Sequence, residues 1–125
     1  MPLRFWIDHE KDLVVTTAEG EVTAADLMDH ARALAATPDR PTRELVDLSE
    51  RAEIPVPTDA VRQMARFLAD ADANTPGSRV ALVAKTDALY GMLRLYQAHR
   101  EHPSVAMQVF RDRAAALRWL DGSGD

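Results

Sequence analysis

Between Ser78 and Leu120 the chain reads SRVALVAKTDALYGMLRLYQAHREHPSVAMQVFRDRAAALRWL: an apolar run, a helical stripe, a second apolar run and a second helical stripe, almost without loops. Two strand–helix units in tandem have few ways to bury their apolar faces. The strands lie parallel in one sheet, and the helix between them crosses over it in the right-handed sense. Arg79–Ala84 (RVALVA) is nearly all apolar, as a central strand covered on both faces should be. Asp87 is expected to cap a helix over Ala88–His99, and Val105–Phe110 (VAMQVF) to form the next strand. Asp112 should cap the last helix, Arg113–Leu120, with Gly122 ending it.

Upstream, Leu3–Asp8 (LRFWID) and Leu13–Ala18 (LVVTTA) flank the polar link His9–Asp12 and predict an antiparallel hairpin. Thr23, with Asp26 three residues on, has the spacing of a capping box for the helix AADLMDHARALAAT. Arg43–Leu48 (RELVDL) reads as a third strand. Pro55 and Pro57 keep the following connection from being helical throughout. Thr58 is expected to cap a helix striped by Ala60, Val61, Met64, Phe67, Leu68 and Ala71. Asn74-Thr75-Pro76-Gly77 predicts a turn. The expected order is β-β-α-β-α-β-α-β-α: an α/β fold with a five-stranded, mixed, mostly parallel sheet and four helices.

A chain of 125 residues is read as one domain over 1–121 with a loose tail at 122–125. No apolar run approaches the ~20 residues of a membrane span, and the first residues carry no export signal, so a cytoplasmic location is expected. The sequence has no cysteine, which excludes disulfides, thiol catalysis and thiolate metal sites. A net charge of −5, with arginines scattered among acids, argues against nucleic acid as a partner. Glycine spacing matches neither a phosphate loop nor a dinucleotide fingerprint, and no serine sits in a Gly-x-Ser-x-Gly elbow.

Four segments carry a family resemblance: Glu19-Gly20-Glu21-Val22-Thr23, Leu45-Val46-Asp47-Leu48-Ser49, the helix Ala88–Tyr96 (ALYGMLRLY), and Val109–Arg113 with Ala116–Leu120. In order and spacing they resemble the SpoIIAA-like fold of STAS domains and anti-sigma-factor antagonists. The resemblance is closer still to a bacterial branch of small stand-alone proteins described as STAS/SEC14-like. It spans roughly Leu13 to Leu120 and implies a non-enzymatic regulatory or protein-interaction module without a cofactor. Anti-sigma-factor antagonists carry an Asp-Ser-Ser-Gly turn whose serine is phosphorylated. Here the corresponding Pro55–Ala60 has no such turn, and Thr58 is its nearest hydroxyl, so the phospho-switch is not carried over.

Two groups of residues are candidates for a working surface. Ligands of open α/β sheets gather beyond the carboxyl ends of the strands, which brings Asp47, Ser49, Thr58, Lys85, Thr86 and Asp87 to one edge. The competing reading makes them turn and cap residues. On the penultimate helix, Tyr90 and Arg94 stand four apart on an exposed flank, while Leu89, Met92, Leu93 and Tyr96 face inward. Gly91 costs that helix about 1 kcal/mol against alanine. It serves either a close contact inside the fold or a partner or ligand outside it. The expected partner is a protein or a second copy of the chain. The alternative is a small anionic or lipid ligand in a cavity lined by Met28, Met64 and Met92, with Arg94 at its head group. A weaker third reading gives Asp47 or Asp87 acid–base work. His99 and His102 invite a metal reading that two ligands at a helix end do not sustain. Arg111, Arg113 and Arg118 are the one basic cluster.

Overall fold

The computed structural model describes residues 2–55, 57–72, 77–100 and 105–122, with 68–72 by their backbone alone. The expected turn at 74–76, His102 and the tail at 123–125 lie outside the described residues. Strands β1 (Leu3–Asp8) and β2 (Leu13–Ala18) form the antiparallel hairpin. Asp12 takes a left-handed φ of 53° in its turn, a conformation Asp tolerates better than most residues. Beyond it come α1 (Ala24–Ala35), β3 (Arg43–Leu48), α2 (Thr58–Asp72), β4 (Ser78–Ala84), α3 (Asp87–Arg100), β5 (Val105–Phe110) and α4 (Arg113–Leu120). The sheet order is β1-β2-β3-β4-β5, with every pair after the first parallel. That is the α/β arrangement the sequence predicts.

Alternation along the strands sorts the core into two layers. Val46, Leu48, Val80, Leu82 and Ala84 face the front, where α1, α2 and α3 pack. Leu13, Val15, Leu45, Ala81 and Val83 face the back and meet Ala116, Trp119 and Leu120 of α4. β4 is buried on both faces, as its apolar run requires. Full burial of a side chain such as Leu45 stabilises the fold by about 1.5–3 kcal/mol.

Two helix starts follow the sequence and two correct it. Thr23 and Asp26 form the reciprocal capping box of α1. Asp112 caps α4 by accepting from the Ala115 amide at 2.8 Å. At α2, however, the amides of Ala60 and Val61 bond the Pro57 carbonyl, so Thr58 is the first helical residue and not the cap. At α3 the Leu89 amide bonds Thr86 Oγ1 at 3.2 Å and the Tyr90 amide bonds the Thr86 carbonyl. Thr86 is the cap, and Asp87 is the first helical residue, with its carboxylate free for other work.

α4 lies across the back of β3–β5 and is tied at both ends. Arg113 in its first turn pairs with Asp47 on β3 at 2.9 Å. At its far end Arg43 Nη1 donates to the Leu120 carbonyl at 3.2 Å, and Arg79 donates to the Trp119 carbonyl. Arg79 also stacks over the Trp119 ring at 4.3 Å. Cations at a helix C-terminus meet unpaired carbonyls and the negative end of the dipole. α4 packs mainly over β3–β5, its cluster reaching Leu13 and Val15 of β2, and Trp6 of β1 stays half exposed on the back of the hairpin.

Candidate functional site

The carboxyl ends of the strands carry an open polar depression of about 670 Å³, lined by residues that include Arg4, Glu19, Asp47, Ser49, Glu50 and Lys85. The fold therefore brings Asp47, Ser49 and Lys85 together, as their position at the sheet edge suggests. It does not bring Thr58 or Asp87 to that depression. Thr58 stands exposed at the start of α2. Asp87 is 97% exposed and pairs with Arg111 at 3.0 Å. Asp47 is largely buried, its side chain 11% exposed. Arg113 takes its Oδ2, and the Lys85 ammonium stands 3.4 Å from its Oδ1 without the alignment of a hydrogen bond. A carboxylate held between two cations anchors a helix. A general acid would need surroundings that favour its protonated form.

Of the basic cluster, Arg111 and Arg113 are likewise paired, with Asp87 and Asp47. Among the described residues no group of three or more His, Asp or Glu side chains could hold a metal ion.

The exposed flank of α3 holds together as the helical spacing predicts. Tyr90 is half buried, and Arg111 lies 5.4 Å from its ring centroid. Arg94 is exposed and, among the described residues, makes no ion pair or hydrogen bond. Gly91 is exposed, and a Cβ built on it meets no atom within 4 Å. Among the described residues nothing makes a close contact inside the fold, one of the two explanations for this glycine. Three positions beyond Arg94, Gln97 reaches over the sheet edge and donates to the Met107 carbonyl at 2.8 Å.

A cavity of the kind the alternative reading calls for lies between the sheet front and the helices. There an apolar cavity of about 70 Å³ is lined by Leu27, Val61, Met64, Leu82, Met92 and their neighbours. Met64 and Met92 line it as expected; Met28 and Arg94 do not. Buried polar groups stand at its rim instead: Thr16, Glu44, Tyr96 and Arg100. Thr16 Oγ1 donates to Glu44 Oε2 at 3.1 Å, and Arg100 Nη1 donates to Tyr96 Oη at 3.0 Å. His30, edge-on to Phe5 at 5.5 Å, separates this cavity from a cleft that Asp26 and Asp29 also line. Burial lowers the His30 pKa from 6.5 to about 4 and keeps the ring neutral at physiological pH. The signal was present: Glu44 shares strand parity with Val46 and Leu48, and Arg100 continues the stripe of Leu89, Leu93 and Tyr96.

Among the described residues no helix is long and apolar enough to cross a membrane. Neither the known protein-family models nor the curated proteins compared with this chain match it.

Proposed function

We propose that this chain is a non-enzymatic regulatory or protein-interaction module of the cytosol, of the STAS type, and that it works through the exposed flank of α3. The observation that carries this reading is Gly91. It weakens α3, yet among the described residues no neighbouring atom requires its missing side chain. Beside it Arg94 has no partner among the described residues and Tyr90 presents part of its ring. Aromatic and arginine side chains on one strip are the composition of interface anchors. The commitment of Asp47 to two cations supports the non-enzymatic part, and the element order supports the STAS resemblance. The test is affinity capture with the wild-type chain and with Tyr90→Ala and Arg94→Ala. Partners identified by mass spectrometry should be lost from the variants while their circular dichroism stays unchanged. Equal capture by all three removes the strip from the account.

The cavity favours a second reading, a small-molecule or lipid binder. Its lining is apolar, with polar groups at one rim, as ligand sites commonly are. Its 70 Å³ is far below the ~300–1,000 Å³ of drug-sized sites. It takes a few heavy atoms or a chain end, and a lipid only if the helical layer parts from the sheet. Arg100, not Arg94, is the cation at its rim. Native mass spectrometry of protein taken gently from cells tests this reading: a retained mass supports it, and bare chain sinks it.

A further inference from the structure

The two edges of the sheet are built differently. β1 is LRFWID, with Arg4 and Asp8 near its ends. Charges of this kind keep an edge strand from pairing with a neighbour. β5, the other edge, is VAMQVF, without a charge, a proline or a glycine. On an edge strand the backbone groups of every second residue point away from the sheet and are a template for another strand. Gln97 takes up the Met107 carbonyl, which keeps a second lone pair. Among the described residues no strand lies beyond β5. The α3 flank runs along this edge, fixed by Gln97 on Met107 and by Tyr90 beside Arg111.

We propose that β5 and the adjoining flank of α3 bind a second copy of this chain, β5 pairing antiparallel with its counterpart about a two-fold axis normal to the sheet. This names the partner of the α3 strip and rests on that reading. The dimensions agree. Adjacent strands lie about 4.8 Å apart, so each β5 stands about 2.4 Å from the axis. α3 packs over both β4 and β5, which sets it about one strand spacing from the axis. Both α3 helices then lie on the same face, about 10 Å apart, the packing distance of helices. The product is one continuous ten-stranded sheet with the uncharged edge closed and the charged β1 edges outermost.

Sedimentation velocity from micromolar to hundreds of micromolar protein tests this. The wild type should reach twice the 13.9 kDa chain mass. The double variant Ala106→Lys, Gln108→Lys places like charges from both copies at the axis on side chains that are exposed in the fold, and should sediment as one chain with unchanged circular dichroism. A second readout uses the cysteine-free sequence: a spin label at Ala98→Cys, on the exposed side of α3, should give an inter-copy distance on the order of 20 Å, two label tethers beyond helices about 10 Å apart. A wild type that stays at the single-chain mass overturns the proposal. So does a dimer that survives the lysines and shows no short distance. If the double variant fails to fold, the spin-label distance decides. Should the wild type be monomeric while Arg94→Ala still loses a captured protein, self-pairing falls and the α3 strip stands. Should both fail, both readings fall.

Discussion

Replacing Gly91 by alanine should make this protein more stable. Gly91 is the fifth residue of α3, in the helix interior, and its φ is not in the left-handed region. The added Cβ meets nothing within 4 Å, so no packing cost offsets the gain. Alanine is better than glycine in a helix interior by about 0.8–1 kcal/mol, partly because it restricts the unfolded chain. For a domain of this size that is a rise of about 3–5 °C in Tm. Urea unfolding at dilute protein, followed by circular dichroism at 222 nm, reads the change. An unchanged slope with a higher midpoint is the expected pattern. A loss of stability would mean that Gly91 serves packing within the fold, and the argument that it faces a partner would fail.

Other outcomes follow from single contacts. Thr86→Ala should destabilise by about 1 kcal/mol through the lost cap, and Asp87→Ala by less, since only its exposed pair with Arg111 goes; equal losses in chemical denaturation would contradict this assignment. Asp47→Asn should cost about 1–2 kcal/mol by loosening α4, with both partners partly exposed and the pairs discounted accordingly, and should leave capture through α3 untouched. His30 has a lowered folded-state pKa, so its contribution is complete above pH 6.5 and is lost as pH falls through about 4. The loss approaches roughly 3 kcal/mol at the acid end, and His30→Gln should flatten that part of a stability–pH curve; an unchanged curve would show that the ring is not desolvated.

The architecture was legible because each element carries its own period. Rough alternation in LRFWID, the β-branched run LVVTTA, the apolar run RVALVA and the i, i+4 stripe of Leu89 and Leu93 leave little freedom once right-handed crossovers are required. The caps of α2 and α3 were misplaced by one residue for a definite reason. In Pro57-Thr58-Asp59 and Thr86-Asp87 several residues compete to cap, and only backbone geometry decides which is the last non-helical one. The α3 flank was legible because exposure on a helix follows from angle alone. The polar rim of the cavity was not read. A Glu in a strand and an Arg near a helix end are presumed solvated, and their burial depends on α1, β3 and α3 meeting in space. The separation of Asp87 from Asp47 also lay beyond local spacing, because Arg111 draws one carboxylate to β5 and Arg113 holds the other under α4.

Whether the molecule works through an outer flank can be asked most directly by amide hydrogen exchange on the unmodified chain, first dilute and then concentrated. Slower exchange confined to 105–110 and the neighbouring turns of α3 at the higher concentration is what self-association through that side would produce. Exchange that does not change there, or slows instead around the depression beside Asp47, would contradict it.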